Sequence, residues 1–266
     1  HSRLEVIAAD ISMPNLGLPQ ETFDDLSQRV DRISHVGALV NHRLSYEHLF
    51  SPNVAGTAEI IKLAISHTRK PIDFVSTVSV LPLLDRQDDN KETAMPAAKL
   101  PLSDAYASGY ATSKWAAEIL LHNAAETCAV PVNILRGNMM LTHRDLPGAM
   151  NPSDMFTRLL FSVIKTGIAP GSFYADVPIN YDGLPVDLIA SCVVNMREAT
   201  DENICVVNAC NYASGSGFSL DAIVNGIRNS GYEIDEIEAY ADWFERFSKK
   251  LHTLPEIDKQ KSSIDL

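Results

Sequence analysis

Tyr110 and Lys114 stand four positions apart in "DAYASGYATSKWAAEILL", residues 104–121, at the start of an apolar helical stretch. Residues at that spacing lie one above the other on a helix face, so a phenol and an ammonium can serve one ligand atom. A free phenol titrates near pH 10 and is a poor acid at neutrality. A neighbouring ammonium favours the phenolate and lowers that value. Many unrelated helices carry such a pair, and the preceding segment is what gives this one meaning. "PIDFVSTVSV", residues 71–80, reads as a strand whose end presents Ser76 and Thr77. Open α/β sheets bind ligands outside the carboxyl ends of their strands. A hydroxyl there can fix a carbonyl oxygen, so strand, hydroxyl and Tyr-x-x-x-Lys in that order describe a proton donor for carbonyl reduction. Thr77, Tyr110 and Lys114 are the candidate catalytic set. The plainer readings are a β-branched Thr77 that suits any strand and a Lys114 that snorkels to water.

The elements that must position these groups alternate along the first half. "RLEVIAADIS" (3–12) is a strand candidate, "LPQETFDDLSQRV" (18–30) a helix with acidic first turns, and "DRISHVGALV" (31–40) holds the next strand. "SPNVAGTAEIIKLAISH" (51–67) reads as a helix with Pro52 in its first turn and Val54, Ala58, Ile61 and Ile65 on one face. The strand at 71–80, a helix over about 109–126 and a strand in "VPVNILRG" (130–137) follow. Alternating β and α elements predict a parallel sheet with crossover helices, an α/β Rossmann-like fold. Beyond Arg136, Gly and Pro become frequent and the alternation stops. A helix at 152–166, a strand "ICVVNA" (204–209), a helix capped by Ser219 and a helix at 240–251 are expected there. The predicted division is a Rossmann-like domain over 1–138 and a smaller mixed lobe over 139–266.

At 266 residues with 45% hydrophobic and 21% charged residues, the chain has the composition of a folded globular protein. A net charge of −12 without any basic run argues against nucleic acid or an anionic membrane as partner. No apolar run approaches the roughly 18 residues of a membrane span. Cys128, Cys192, Cys205 and Cys210 form no C-x-x-C pair and read as free thiols, which suits the cytoplasm. His35, His42 and His48 lack the spacing of a helical zinc pair, and no metal site is expected. Met139, Met140, Met150 and Met155, near Phe156 and Phe161, could line a channel for an apolar chain, but ordinary core packing is the plainer expectation.

On these segments the sequence resembles an extended short-chain dehydrogenase/reductase. More narrowly, it resembles the terminal thioester reductase domain of carboxylic acid reductases and nonribosomal peptide synthetases. The segments that carry the resemblance are "ADIS", "HVGALVNHRLSYEHLFSPNVAGTAEIIKLA", "VSTVSV", "YASGYATSKWAAEILL", "LRGNMML", "NPSDMFTRLLFSVIKTGIAPGSFY", "YDGLPVD" and "YADWFERF". The first four belong to the wider superfamily, and "GIAPGSFY" followed by "YDGLPVD" is more specific to the reductase domain.

The resemblance implies NADPH as cofactor and, as partner, a carrier domain that presents an acyl thioester on a phosphopantetheine arm. By the same resemblance Tyr110 is the acid, Lys114 lowers its pKa and binds the nicotinamide ribose, and Thr77 polarises the carbonyl. Asp10 and Ile11 would lie by the adenine, and Gly37 and Ala38 would line the cofactor groove. Arg136, Gly137 and Asn138 would pass the nicotinamide end. "YDGLPVD" (181–187) would belong to the substrate lobe, with Asp187 structural. The alternatives are an extended short-chain enzyme acting on acyl-CoA or a nucleotide sugar, or a non-catalytic carrier-docking module. One departure stands out: the family's opening strand and Gly-rich turn, which hold a pyrophosphate at a helix N-terminus, have no counterpart here. The late Gly215-Ser216-Gly217 reads as a loop, so the Gly-rich strand–helix part is expected to be missing.

Overall fold

The computed structural model describes residues 4–83, 108–146, 148–174, 182–196, 203–211 and 219–264. Gly215–Gly217 and Tyr181 lie outside them. The first elements are α1 (Gln20–Arg29), β1 (Ile33–His35), α2 (Tyr46–Leu49), α3 (Gly56–Ile65), β2 (Ile72–Thr77) and α4 (Ser108–Cys128). Then come β3 (Val132–Gly137), β4 (Met139–Leu141), α5 (Met155–Thr166), β5 (Ile168–Pro170) and β6 (Gly183–Pro185). The last are α6 (Val186–Asn195), β7 (Ile204–Ala209), α7 (Leu220–Asn229), β8 (Asp235–Ile237), α8 (Tyr240–Thr253) and α9 (Glu256–Lys259).

Two compact units form, one from 1–138 with 188–209 and the other from 139–187 with 210–266. The first holds a four-stranded parallel sheet of order β1-β2-β3-β7. In its register His35 pairs with Phe74, Thr77 with Gly137, and Arg136 with Asn208. All four strands run the same way, so His35, Thr77, Gly137 and Ala209 end along one edge. This is the α/β, Rossmann-like arrangement expected from the alternating elements.

Strand alternation puts Ile72, Phe74 and Ser76 on one face with their neighbours Val132, Ile134 and Arg136. The apolar members pack with Ala117, Leu121 and Ala125 of α4 in one buried cluster. The Ala-rich sequence of α4 favours a long helix. The helix stops where Ala129 turns left-handed at φ 50°, ahead of Val130 and Pro131, a C-terminal signal of the usual kind.

Two expectations from the sequence are corrected here. Residues 4–10 form no strand: Leu4 and Val6 are exposed. The extended run ends where the Asp10 carboxylate accepts hydrogen bonds from the amide and hydroxyl of Ser12, at 2.9 and 2.6 Å, a local turn that competes with sheet pairing. The helix expected over 51–67 opens with a π turn over Phe50–Ala55 before α3 begins. That turn closes i→i+5 bonds and inserts one residue, which rotates everything after it. The buried face is accordingly Gly56, Thr57, Ile60, Leu63 and Ala64, while Ile65 is exposed.

The second unit has its own core, in which Val163, Ile168, Val224, Trp243, Phe247 and Leu251 are buried together. β5 pairs with β8 and β4 with β6, both parallel. Asp154 caps α5 by accepting from the Thr157 amide at 3.1 Å, and Gly167 ends that helix at φ 65°. Ser219 caps α7 by accepting from the Ala222 amide at 3.1 Å. Asp187 pairs with Arg144 at 2.6 Å. Core packing does not account for all the methionines: Met140 and Met150 are exposed. Among the described residues no helix is long and apolar enough to cross a membrane.

Candidate active site

The carboxyl edge of the sheet and the first turns of α4 bring the candidate groups into one unit. Thr77 is the last residue of β2, and the chain then curls into a 3-10 turn over Val78–Leu83 that packs on α4. The Thr77 hydroxyl donates to the Ser79 hydroxyl and accepts from the Ser79 amide, both at 3.2 Å. On the other side α4 is pressed against the segment before α2. A Cβ built on Gly109 would meet the Leu44 carbonyl oxygen at 2.3 Å and backbone atoms of Ser45 and Tyr46 at 2.8 Å. A glycine at 109 therefore seats the turn that carries Tyr110.

Tyr110 is largely buried, and desolvation pushes its phenol up to about 12. Its ring meets His42 edge-on, with centroids 5.4 Å apart and planes at 79°. Lys114 is buried, with Nζ 3.9 Å above the centre of the Phe74 ring. Burial lowers its ammonium to about 7, against a smaller upward pull from Glu118. The direction for Tyr110 is opposite to the one expected from its pairing with Lys114. Desolvation sets the direction for each side chain, and an amine brought down to about 7 is only partly charged at neutrality. His35 also neighbours Phe74, 5.3 Å between ring centres; burial and then Lys114 hold its imidazole down to about 3, so it is neutral.

Beneath Lys114 lies a buried ion pair. Glu118 and Arg136 have fully covered side chains and meet at 2.7 Å, and the Ser76 hydroxyl donates to the Glu118 carboxylate at 2.5 Å. Asn53, inside the π turn, ties α4 to the loop after β1. Its amide donates to the Leu39 carbonyl at 3.1 Å and to the Ser113 hydroxyl at 3.0 Å, and its carbonyl accepts from the Leu39 amide at 2.8 Å. Ser113 in turn donates to the Tyr110 carbonyl at 2.8 Å.

The family of NAD-binding proteins described as "Male sterility protein" matches residues 1–193. The chain belongs to this family. Among its curated relatives, a carboxylic acid reductase of Segniliparus rugosus is 39% identical over 99% of this chain, and that match spans 23% of the relative. An isonitrile lipopeptide synthase of Mycobacterium tuberculosis is 34% identical over 99% of this chain and 11% of its own length. The crystal structure of the reductase domain of a nonribosomal peptide synthetase from Mycobacterium tuberculosis superposes with a TM-score of 0.86 at 34% identity, covering 98% of this chain and 63% of that one. The chain thus spans under a quarter of the length of the carboxylic acid reductase it matches.

A nicotinamide dinucleotide is the cofactor that an NAD-binding family implies, and a phenol, an amine and a hydroxyl are groups able to bond to its polar atoms. Thr77 ends β2, the Lys114 amine lies over Phe74 of the same strand, and Tyr110 stands one turn before Lys114 on α4, while Val36, Leu39 and Val40 leave an exposed apolar rim after β1. Ile11 reaches the same rim: a Cβ on Gly37 would lie 3.7 Å from its Cδ1. Ile11 and Gly37 are therefore neighbours, next in sequence to Asp10 and Ala38 respectively, and Asp10 is engaged by Ser12. Gly137 and Asn138 follow at the end of β3, whereas the Arg136 side chain is turned inward onto Glu118. What Arg136 offers that edge is backbone. His35, His42 and His48 take separate partners, respectively Thr57, the Tyr110 ring and Ser45.

Three residues beside the set are not evident from the sequence pattern. Asn53 carries a signal, since an Asn inside a helix competes for backbone hydrogen bonds and disfavours regular turns. Glu118 carries another, an acid one helical turn beyond Lys114 in an Ala-rich helix. His42 carries none, because its contact with Tyr110 joins residues far apart in the sequence.

Proposed function

We propose that this chain carries out the NADPH-dependent reduction of a carrier-bound acyl thioester to an aldehyde, in the cytoplasm. The observation that carries the reading is Thr77 at the end of β2 with Lys114 lying over Phe74 of that strand and Tyr110 one turn away on α4, in a chain homologous to reductase domains of carboxylic acid reductases and nonribosomal peptide synthetases. The acyl group arrives as a thioester on the phosphopantetheine arm of a carrier domain. The cofactor supplies a hydride to the thioester carbonyl carbon.

Thr77 donates a hydrogen bond to the carbonyl oxygen, and Tyr110 gives its phenolic proton as charge develops there. A phenol at about 12 is fully protonated at neutrality, as a donor must be. Lys114 would hold the ribose of a bound cofactor, and in its charged form offsets the phenolate that Tyr110 becomes. Asp10, Ile11, Gly37, Ala38, Gly137, Asn138 and the Arg136 backbone line the rest of the cofactor groove. The tetrahedral adduct then loses its thiol: the C–S bond breaks, the carbonyl reforms, and the proton taken up at oxygen leaves with the sulfur.

The test is NADPH oxidation at 340 nm with an acyl-pantetheine thioester, with the product identified and Tyr110→Phe as control. Aldehyde from the parent and a loss of about 10²-fold or more in the variant are expected. Aldehyde formed equally well by Tyr110→Phe would sink the assignment of the proton.

A further inference from the structure

On the face of α4 turned to the sheet, Tyr110, Lys114, Glu118 and His122 follow one another at intervals of four residues. Three of the four, Lys114, Glu118 and His122, are less than 5% exposed. Glu118 is the only acid in this row, and both of its oxygens are committed. Oε1 accepts from the Ser76 hydroxyl at 2.5 Å and from Arg136 Nε at 3.1 Å; Oε2 accepts from Arg136 Nη2 at 2.7 Å. Ser76 precedes Thr77 in β2, and Arg136 precedes Gly137 in β3, so one carboxylate grips the carboxyl ends of two adjacent strands. A purely structural ion pair would need Arg136 alone. The short bond to Ser76 and the i+4 position from Lys114 are the features that such a pair leaves over.

We infer that Glu118 is the positioning residue of this site, fixing the end of β2 through Ser76 and placing a carboxylate one helical turn from Lys114, where it favours the ammonium form. The catalytic part of this inference rests on the function proposed above. The groups around Lys114 leave Glu118 that task. Tyr110 on the same helix is a neutral phenol, His35 on β1 is a neutral imidazole, and Phe74 on β2 has no charge. Arg136 on β3 is already matched by Glu118. The opposing push of burial on Lys114 is met by Glu118 alone among its named neighbours.

The experiment follows the Lys114 side chain directly, by its ε-carbon resonance in protein grown on carbon-13 lysine and assigned by its loss in Lys114→Met. In Glu118→Gln the Lys114 midpoint is expected to fall by about 1–2 pH units, and turnover at neutral pH to drop about tenfold or more with its pH profile displaced. Glu118→Asp keeps the charge and is expected to restore the midpoint. A midpoint that stays put in Glu118→Gln, or that Glu118→Asp fails to restore, overturns the inference. Glu118→Gln leaves Arg136 buried without its anion and could fail to fold. The unmutated protein then answers the question: the Glu118 carboxyl resonance must inflect at the Lys114 midpoint, as coupled groups do, and a flat trace overturns the inference equally. The titration needs neither cofactor nor substrate. A displaced midpoint in a protein that reduces no thioester refutes the proposed function alone; full turnover with an insensitive Lys114 refutes the role of Glu118 alone.

Discussion

Gly109→Ala isolates the seating of α4. The added methyl would stand 2.3 Å from the Leu44 carbonyl oxygen and 2.8 Å from backbone atoms of Ser45 and Tyr46. A carbon and a carbonyl oxygen ordinarily stay more than about 3.2 Å apart, so roughly 1 Å of separation has to be found. The obstacles are backbone atoms, which cannot swing aside as a flexible side chain does, so the first turn of α4 or the segment before α2 must move. Overpacking of this kind costs about 1–3 kcal/mol, partly offset by the better helix propensity of Ala, about 1 kcal/mol. A net loss of up to about 2 kcal/mol should lower the melting temperature by up to roughly 4–8 °C in a chain of this size. The effect on turnover should be larger in proportion. Tyr110 is the next residue, and a displacement of about 1 Å at a reacting group can cost about 10²-fold. Thermal melts and NADPH oxidation with an acyl-pantetheine thioester on the same preparations read both effects. A Gly109→Ala protein as stable and as active as the parent would refute the close approach and the reasoning built on it.

Burial of Lys114 makes stability depend on pH in a defined direction. Its folded value, about 7 against an ordinary 10.5, means that the unfolded chain binds more protons between those values, so this group's contribution to stability rises with pH there. Urea melts of the parent and Lys114→Met at pH 6 and pH 9 should show the parent gaining roughly 2–3 kcal/mol on the variant over that interval; a constant difference would contradict it. Arg136→Met should destabilise by about 3–5 kcal/mol by stranding a buried Glu118, and Arg136→Met combined with Glu118→Gln should recover most of that loss in the same melts. Asp154→Ala removes the N-cap of α5 and should cost about 1 kcal/mol without changing the Lys114 titration.

Much of this architecture is legible in residue patterns, and the failures have identifiable causes. α4 and β7 are legible because an Ala-rich run closed by Val130-Pro131 and a short β-branched run admit few alternatives. The order of strand, hydroxyl and Tyr-x-x-x-Lys likewise predicts which groups share an edge. The buried face of α3 is misread because one inserted residue in the π turn rotates the helix by about 100°, and periodicity counts assume that no such turn exists. The segment around Asp10 is misread as a strand because its alternation matches, while the local bonds from Ser12 that end the run are invisible to a hydropathy pattern. The burial of Arg136 on Glu118 is unreadable for another reason. It depends on the register of β2 with β3 and on the rotation of α4, neither of which a single sequence states.

The sequence of α4 contains a conflict that its packing explains. A helix covered on the sheet side by Ala117, Leu121 and Ala125 would be most stable with apolar residues at 114, 118 and 122 too, since replacing buried ionic groups by hydrophobic ones is commonly neutral or stabilising. Instead an amine, a carboxylate and an imidazole occupy those places, and His122 finds no hydrogen-bond partner for either ring nitrogen among the described residues. Local choices that oppose stability tend to fall at functional sites. Here the conflict begins within one turn of Tyr110 and runs along the face that meets the ends of β2 and β3. Burial acts on both members of the pair: it leaves Tyr110 a phenol and makes the charge of Lys114 responsive near neutrality. An exposed helix face would also hold a neutral phenol and an ammonium at neutral pH; what burial adds is a Lys114 whose charge answers to its surroundings in that range.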